Sequence, residues 1–265
     1  VRESSGLAAS RRTPGTYWTH NDSGDEPLVY CIGATAGLCG VWRVTGADAF
    51  DWEGMAAGPG PVANTPYLYL GDIGDNLGNR SEVVVYRVPE PAVAAGAPMP
   101  TKAAPAATDR ADALRLRYPD GPHDAEALLV HPTTGDLYIV AKESGPGVYV
   151  ARAPLSASST TTMTKVANLS LTTFASQASH PTGGDISPDG RRVALCNYVE
   201  ALEYRLPADA SSFDALWQQA AVPINFGLRP QGEAVAYRLD GKALLASSEK
   251  GPLNLAAPLY QVEQR

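Results

Sequence analysis

Five short segments of the chain share one pattern, with an acidic or small polar residue at the same place in each. The segments are residues 3–8, 51–56, 124–129, 183–188 and 231–236, and their third residues are Ser5, Glu53, Glu126, Asp185 and Glu233. They follow one another at intervals of 48, 73, 59 and 48 residues, near the length of one four-stranded propeller blade. The repeat predicts five equivalent inner strands around one axis.

Hairpin signals follow the later repeated segments. Turns that contain Gly, Pro and Asp lead into a second apolar strand, because Gly tolerates positive φ. The turns and second strands are expected at 132–136 and 137–140, 187–190 and 192–195, and 239–242 and 243–246, with third strands at 82–88, 147–150 and 259–262. Residues 213–219 are expected to form one or two helical turns. The sequence therefore predicts an all-β, five-bladed β-propeller with a central metal-binding channel, in a single domain over residues 1–265.

The composition is that of one compact domain without a nucleic-acid or membrane partner. A hydrophobic fraction of 44% can fill a core, and 265 residues lie within the single-domain range of β architectures. The net charge of −7 argues against nucleic acid, and no apolar run approaches the length of a membrane span. We expect a monomer. Residues 89–109, which contain five prolines, are expected to form a long exposed connection that carries no site.

Cysteine usage points to an exported protein. Cys31 and Cys39 flank the expected turn between the third and fourth strands of blade one, within disulfide reach across a hairpin; the alternative is that they stay unpaired. A disulfide favours a secreted or cell-surface location, and a start at Val1 suits a removed signal peptide or an expressed fragment. Cys196 lies in an apolar strand and is expected to be a buried free thiol. Blade five is expected to end after its third strand, with an outer strand that is absent or comes from residues before Val1.

Four carboxylates and a hydroxyl group in one ring require a neutralising cation. The oxygen-only set, without His or Cys, favours a hard ion, and the flexible coordination of Ca²⁺ fits best. The expected ligands of a structural Ca²⁺ on the propeller axis are Ser5, Glu53, Glu126, Asp185 and Glu233. The alternative is that these side chains bond to neighbouring backbone groups or water. Because residues two apart in a strand point the same way, the expected second ring, nearer the mouth, is Glu3, Asp51, Asp124, Gly183 and Gln231.

Polar loops mark the face of the propeller at which the inner strands begin. By propeller topology, the loops after each second strand and before each inner strand open there, and they are more polar than the turns at the opposite face. The substrate-binding residues predicted in these loops are His20, Asn21, Asp25, Asp75, Asn76, His123, Asp124, His180, Arg229 and Gln231. Asp-rich strings such as 22–25 and 72–76 commonly form Asx turns, but two of them in equivalent loops beside Asp51 favour a ligand site.

Paired carboxylates at such a mouth suit glycoside hydrolysis. One carboxyl group protonates the leaving oxygen and the other attacks the anomeric carbon or activates water, and their separation decides the stereochemical outcome. Crowded carboxylates raise one another's pKa, which supplies the acid. Asp22 and Asp51 are the predicted catalytic pair, with Asp72 as the substitute. Trp18 and Trp52 are expected to pack in the core or between blades rather than to serve as sugar platforms.

The ring pattern resembles that of the soluble calcium-activated nucleotidases, or apyrases, which are five-bladed propellers with an axial calcium. The segments that carry this resemblance are Ser5-Gly6, Glu53, residues 123–127 and Glu233-Ala234. The resemblance implies an axial calcium and hydrolysis of nucleotides. Asp185 departs from it, because that family has Ser in the fourth blade, and basic residues that could bind phosphates are sparse.

The Asp-rich loops are similar to those of secreted actinobacterial endo-D-arabinanases, which are five-bladed glycoside hydrolases. The residues that carry this second resemblance are 21–25, 51–54 and 71–76. It implies a secreted glycoside hydrolase that cleaves cell-wall arabinan.

Two other functions stay open. A calcium-dependent nucleotide or phosphoester hydrolase would need phosphate partners, and those that the loops offer are Arg229, Lys142, Lys250 and Arg80. A non-catalytic propeller that binds carbohydrate or protein would use the carboxylates for calcium alone. A Ser-His-Asp hydrolase is not expected, because no Gly-x-Ser-x-Gly elbow occurs.

Overall fold

The protein consists almost entirely of β-strands. The structure, a computed structural model, describes residues 1, 4–22, 24–33, 37–93, 96, 98–171, 180–227, 229–249 and 259–263. In chain order its strands are β1 (Ser4–Ala9), β2 (Thr16–Asn21), β3 (Leu28–Gly33), β4 (Leu38–Thr45), β5 (Trp52–Pro59), β6 (Pro66–Asp72), β7 (Val83–Pro89), β8 (Ala106–Arg110), β9 (Asp112–Arg117), β10 (Ala125–Val130), β11 (Leu137–Ala141), β12 (Gly147–Ala151), β13 (Thr161–Thr162), β14 (Thr164–Asn168), β15 (Gly183–Ile186), β16 (Arg192–Cys196), β17 (Ala201–Arg205), β18 (Val222–Ile224), β19 (Gln231–Tyr237), β20 (Ala243–Glu249) and β21 (Tyr260–Glu263). A 3₁₀ helix at Phe213–Gln218 matches the expected helical turns. The predicted all-β class is confirmed.

Five sheets form a closed ring of blades. Their strand orders are β1-β2-β3-β4-β8 in blade one, β5-β6-β7-β9-β13 in blade two, β10-β11-β12-β14 in blade three, β15-β16-β17-β18 in blade four and β19-β20-β21 in blade five. Each inner strand contacts the inner strand of the next blade, and β19 contacts β1. The predicted five-bladed β-propeller is confirmed, and the five repeated segments supply its inner strands. Within the described residues, the sheet of blade five has three strands.

The connection after β7 is more than the exposed excursion that the sequence predicts. β8 leaves blade two and pairs in parallel with β4, so it forms the outer strand of blade one. The chain then returns to blade two as β9, which pairs with β7. The expectation for residues 89–109 is therefore corrected in their last part. This part of the connection between two strands of blade two is itself a strand of blade one.

The core lies between the blades, where apolar side chains of facing sheets pack together. Trp18 and Trp52 are almost completely buried, as expected. Trp18 packs edge-on against Trp42 with 5.1 Å between ring centroids, and its Nε1 donates a hydrogen bond to Glu90 Oε1 at 2.9 Å. The indole N–H thus has the partner that a buried donor needs.

β-Bulges interrupt four of the five inner strands near the same end. The residues at which the pairing with the second strand shifts are Ser5 in β1, Glu53–Gly54 in β5, Glu126 in β10 and Glu233–Ala234 in β19. β15 pairs with β16 without a shift. A bulge leaves one residue out of the ladder and re-aims its side chain. Four blades can therefore turn a side chain away from the blade interfaces and into the channel.

A disulfide between Cys31 and Cys39 links β3 to β4, with 5.1 Å between the two Cα atoms. The predicted pairing is confirmed, and Cys196 is a buried free thiol, as expected. No helix within the described residues has the length and hydropathy needed to cross a membrane.

Replacing Gly54 with Ala should destabilise the junction of blades two and three. A Cβ at Gly54 would lie 2.5 Å from Leu128 N and 2.7 Å from Glu126 O, so one inner strand must move away from the next. We expect the free energy of unfolding, measured by denaturant titration, to fall by about 1–3 kcal/mol.

Gly37→Ala is the matched control, because a Cβ at Gly37 meets nothing within 4 Å. Equal unfolding free energies for the two variants would contradict the close approach of the inner strands.

Candidate cation site at the mouth of the channel

The four side chains that the bulges release lie in the channel and are buried. Ser5, Glu53, Glu126 and Glu233 are only 3–6% exposed. Ser5 Oγ donates a hydrogen bond to Glu53 Oε2 at 3.0 Å, which joins blades one and two. After burial, repulsion from Glu126 is the strongest influence that raises the pKa of Glu53 and of Glu233. The structure thus brings these four predicted residues together.

Asp22 and Asp51 extend the group to the mouth of the channel. Asp22 follows β2, and Asp51 immediately precedes β5. One oxygen from each of Asp22, Asp51 and Glu53 can be chosen so that the three lie within 4.8 Å of one another. Gly74 permits this arrangement, because a Cβ there would collide with the Asp51 carboxyl group. We call Asp22, Asp51 and Glu53 the carboxylate triad.

Asp72 is a structural carboxylate rather than a member of the triad. Its Oδ2 accepts the N–H of Phe50 at 3.2 Å, and its Oδ1 accepts the N–H of Asp51 at 3.3 Å. Arg80 Nη1 forms an ion pair with Asp72 Oδ1 at 2.8 Å. Asp72 is 3% exposed and bound on both oxygens, so it fixes the loop that carries Asp51; its predicted role as a substitute catalytic residue stays a prediction.

Asp124 joins the loop before β10 to the loop after β6. Its Oδ1 accepts the N–H of Asp75 at 2.8 Å. The Asp75 carboxylate in turn accepts the N–H groups of Asn79 and Arg80 at 3.0 and 2.8 Å, as in an Asx turn. Burial raises the pKa of Asp51, and repulsion from Asp22 and then from Asp124 adds to this effect. Asp124 therefore lies beside the triad, whereas Asp75 supports the loop.

Asp25 and Asn21 also stabilise a loop. Asp25 accepts hydrogen bonds from the Tyr30 hydroxyl at 3.1 Å and from Lys102 Nζ at 2.7 Å, and the Asn21 amide donates to the same carboxylate. Burial opposes ionisation, but these donors outweigh it and lower the pKa of Asp25 to about 2. Asn21 directly precedes Asp22 and Asp25 follows it three residues later, so their hydrogen bond shapes the loop that carries Asp22.

Lys142 places a positive charge in the channel. It follows β11, and its Nζ forms an ion pair with Glu126 Oε1. Burial alone would lower the pKa of Lys142, but attraction to Glu126 raises it above its usual value, so the ammonium group stays charged. Glu126 Oε2 is buried and has no hydrogen-bond partner. One oxygen of Glu126 is therefore compensated by the lysine, and the other is left for a further ligand.

Burial and like charge disfavour full ionisation of the channel glutamates. The pKa of Glu53 lies well above its usual range because of burial and then of repulsion from Glu126, Asp22 and Asp51. Burial raises the pKa of Glu126 to about 7, although Lys142 opposes this shift. Burial and repulsion from Glu126 raise the pKa of Glu233 to about 9. Without a bound cation, protons must occupy part of this cluster near neutral pH.

Gln231 lies at the fifth-blade edge of the cluster. Its Nε2 donates to Glu233 Oε1 at 2.7 Å and to Glu249 Oε2 at 2.9 Å. The amide thus holds two acidic side chains of blade five in place without adding charge.

Asp185 does not complete the ring. Its two oxygens accept the N–H groups of Tyr237 and Ile186, each at 2.8 Å. Burial raises the pKa of Asp185 to about 7, and Arg11, in the turn between β1 and β2, is the ionised side chain that opposes this shift. Since β15 lacks the bulge, Gly183 rather than Asp185 lies beside Glu233: a Cβ on Gly183 would be 2.5 Å from Glu233 O. Asp185 is therefore a buried acceptor of backbone N–H groups apart from the other four side chains, and its predicted role as a metal ligand stays a prediction.

The four predicted histidine and arginine sites lie outside the triad. His20 is fully buried, burial lowers its pKa, and its Nε2 has no hydrogen-bond partner. His123 Nε2 lies 2.7 Å from the Tyr149 hydroxyl, and His180 is exposed. Arg229 is 8% exposed, and its Nη2 donates to the carbonyl oxygens of Asn197 and Glu200, both at 3.1 Å.

The remaining predicted residues comprise one that the structure describes and three that it does not. Asn76 is exposed in the loop after β6. Glu3 of the expected second ring, Ser23 of the first Asp-rich loop and the expected phosphate partner Lys250 lie outside the described residues.

The residue that sequence reasoning undervalued is Lys142, which was assigned only to a phosphate. Its position after the second strand of blade three is equivalent to that of Asp22 in blade one. This equivalence is the signal that could have placed a lysine among the carboxylates.

Comparisons with known proteins show the fold. No protein-family model matches the sequence, and no curated protein matches it. A chain of the nidogen/laminin complex is similar at 13% identity with a TM-score of 0.50, over 93% of this chain and 72% of that chain. The WD40 repeats of RRP9 are similar at 11% identity with a TM-score of 0.46, over 99% and 67%, and U3-55K at 10% identity with a TM-score of 0.45, over 98% and 68%. At these identities the similarity extends to the fold alone.

Cation-free protein should lose stability as the pH rises from about 5 towards about 9. The pKa of Glu233 is raised from 4.5 to about 9, so the folded protein keeps a proton that the unfolded chain releases. This contribution to the free energy of unfolding is fully present below the pKa that Glu233 has in the unfolded chain, and it is lost as the pH rises towards the pKa that Glu233 has in the folded protein. The loss is at most about 1.4 kcal/mol per pH unit for one carboxyl group. Denaturant titrations in a chelator at several pH values measure this slope.

Glu233→Gln should flatten the slope, whereas Glu263→Gln, at an exposed position of the same blade, should leave it unchanged. An unaltered slope in the Glu233→Gln variant would show that Glu233 ionises normally in the folded protein.

Proposed function

We propose that the carboxylate triad binds a divalent cation, with Ca²⁺ as the best fit, and that this ion serves a carbohydrate-directed hydrolase. The observation that carries the proposal is the approach of Asp22, Asp51 and Glu53 oxygens to within 4.8 Å of one another. Oxygens on opposite sides of a Ca²⁺ ion are about 4.6–5.2 Å apart, twice the usual Ca–O distance. The triad therefore has the oxygen chemistry and the spacing of a calcium site.

A second observation supports a cation independently of the triad. Glu126 Oε2 is buried without a hydrogen-bond partner, and Glu126 interacts electrostatically with Glu53 and Asp22. A buried carboxylate oxygen without a partner is costly. A cation near the triad would stabilise it and would lower the raised pKa values of the neighbouring glutamates.

The charge pattern around the triad favours a neutral, hydroxyl-rich substrate over a phosphate. Arg80 is paired with Asp72, and Lys142 is paired with Glu126. These two predicted phosphate partners are thus compensated within the protein. Sugar hydroxyls can coordinate a hard cation and accept hydrogen bonds without bringing negative charge to an acidic mouth. The loop resemblance makes arabinan the first polysaccharide to test.

Asp124 is the proposed acid–base residue of this hydrolase. It lies beside the triad, and the hydrogen bond from Asp75 N–H engages its Oδ1. When bound, the cation would coordinate substrate hydroxyls. Asp124 would donate a proton to the glycosidic oxygen as its bond to the anomeric carbon breaks, a water molecule would add to that carbon, and the proton released by the water would return to Asp124. This assignment differs from the pair expected from the sequence, because Asp22 and Asp51 become metal ligands.

A cation-free pair of Asp22 and Asp51 is the second candidate. It is favoured by the raised pKa of Asp51, which burial and repulsion from Asp22 produce, because a general acid must hold a proton near neutral pH. The two candidates differ in their metal dependence. A hydrolase with a cation in the triad loses activity in a chelator, whereas the cation-free pair keeps it.

An extracellular location is proposed on the basis of the Cys31–Cys39 disulfide. Disulfides persist in oxidising compartments and are rare in the cytosol. We further propose that the protein acts as a monomer. A non-catalytic propeller that recognises protein or carbohydrate is the outcome expected if no substrate is cleaved, and the similar chain of the nidogen/laminin complex belongs to an assembly of two proteins.

Asp51→Asn should weaken Ca²⁺ binding by about 10-fold or more, because it removes one charged ligand. Isothermal titration calorimetry of the chelator-treated protein measures the affinity and the number of sites. Asp240→Asn, an exposed change in the turn after β19, is the control and should bind Ca²⁺ like the wild type. Equal affinities for the Asp51 variant and the control would refute the triad as the cation site.

Asp124→Asn should abolish hydrolysis and preserve Ca²⁺ binding. Mass spectrometry of the products from purified arabinogalactan, with and without a chelator, measures activity. We expect pentose oligomers from the wild type only when Ca²⁺ is present. Undiminished release of pentose oligomers in a chelator would favour the cation-free pair of Asp22 and Asp51 as the catalytic residues. If calcium-loaded wild type releases no oligomers, the proposal that the protein is a hydrolase is wrong.

A further inference from the structure

Phe50 is an exposed aromatic residue whose neighbour in the chain, Asp51, belongs to the carboxylate triad. It is 71% exposed and precedes Asp51 in the chain. Among the described residues, no other Phe, Tyr or Trp is exposed. The four tryptophans, which could otherwise provide a surface for a ligand, are at most 6% exposed. An aromatic ring left in water at the edge of a polar site has no role in the core.

Asp72 and Arg80 fix the position of Phe50. Asp72 accepts the backbone N–H of Phe50 and that of Asp51, so one carboxylate holds both residues. Arg80, which is paired with Asp72, places its guanidinium carbon 5.1 Å from the centroid of the Phe50 ring. A cation over one face of an aromatic ring stabilises its orientation. One face is thus covered by Arg80, and the high exposure of the ring leaves other ring surface open.

We propose that Phe50 is the platform on which a sugar ring of the substrate stacks beside the cation site. This inference rests on the proposed carbohydrate function. Sugar rings carry C–H groups on their faces, and these pack against the negative face of an aromatic ring while the hydroxyl groups at the rim stay free for polar partners. With the ring on Phe50, the hydroxyl groups of the sugar face the carboxylates that follow at Asp51.

A nucleobase could also stack on a phenyl ring, but its phosphates would then face the acidic mouth. Asp22, Asp51 and Asp124 lie there, and Arg80 is already paired with Asp72. A neutral saccharide avoids this repulsion. Arg80 and Asp72 are accordingly positioning residues: they hold the platform and do not touch the substrate.

A Phe50→Trp variant tests the platform by fluorescence. Because the native tryptophans are buried, solvent-exposed indole emission in this variant comes from position 50. Titration with arabinan oligosaccharides should shift or quench this emission to saturation, and the wild type should show no such change. An emission that responds to a nucleoside diphosphate and not to the saccharide would overturn the sugar assignment.

Phe50→Ala tests the contribution to binding. We expect KM for arabinogalactan to rise by roughly 3- to 10-fold, which corresponds to a loss of about 0.7–1.4 kcal/mol, while kcat and Ca²⁺ affinity stay near the wild-type values. Leu77→Ala is the control, because Leu77 is 85% exposed in the loop after β6 and should leave KM unchanged.

The two failures are distinguishable. If the wild type cleaves or binds the saccharide and both Phe50 variants behave like the Leu77 control, the platform is wrong and the proposed function stands. If calcium-loaded wild type neither cleaves nor binds it, the carbohydrate function itself is wrong, and the platform falls with it.

Discussion

Repulsion among carboxylates that point into a narrow channel is the constraint to which the rest of this propeller responds. Bulges at Glu53, Glu126 and Glu233 turn these side chains out of the packing between blades and towards the axis. There they are buried, and repulsion from Glu126 raises the pKa of Glu53 and of Glu233 beyond the effect of burial alone. Fully ionised glutamates at this depth would oppose closure of the ring. Compensation inside the channel therefore stabilises the fold when these glutamates are ionised.

The protein supplies part of this compensation from its own side chains. Lys142 neutralises one oxygen of Glu126, Ser5 donates to Glu53, and Gln231 donates to Glu233. The part of the cluster nearer the mouth, which contains Asp22 and Asp51, stays acidic. The proposed divalent cation at the triad would complete the compensation and would link folding of the inner strands to the chemistry proposed at the surface. Asp72 connects the two proposed sites, because its carboxylate accepts the backbone N–H of Asp51, a proposed cation ligand, and that of Phe50, the proposed platform.

The sequence predicted the ring because five short motifs recur at blade-length intervals, and it predicted the disulfide because Cys31 and Cys39 flank one hairpin. Alternation along ideal strands did not reveal the bulges, since an extra residue in a ladder has no signature in hydrophobic periodicity. For this reason the sequence could not show that the strand of Asp185 pairs without a bulge, which separates Asp185 from the residues that the motif aligns with it. The backbone partners of Asp72 could not be predicted either, because they depend on the geometry of the loop rather than on the sequence pattern.

The most direct measurement of the central claim is the position of a bound cation. Crystals grown with Ca²⁺ and soaked in Mn²⁺ should show an anomalous peak between Asp22, Asp51 and Glu53, with Glu126 as the nearest further carboxylate. The peak should be absent from crystals of the Asp51→Asn variant treated in the same way. An empty triad in the wild type, with Lys142 and protons alone compensating the glutamates, would contradict the account.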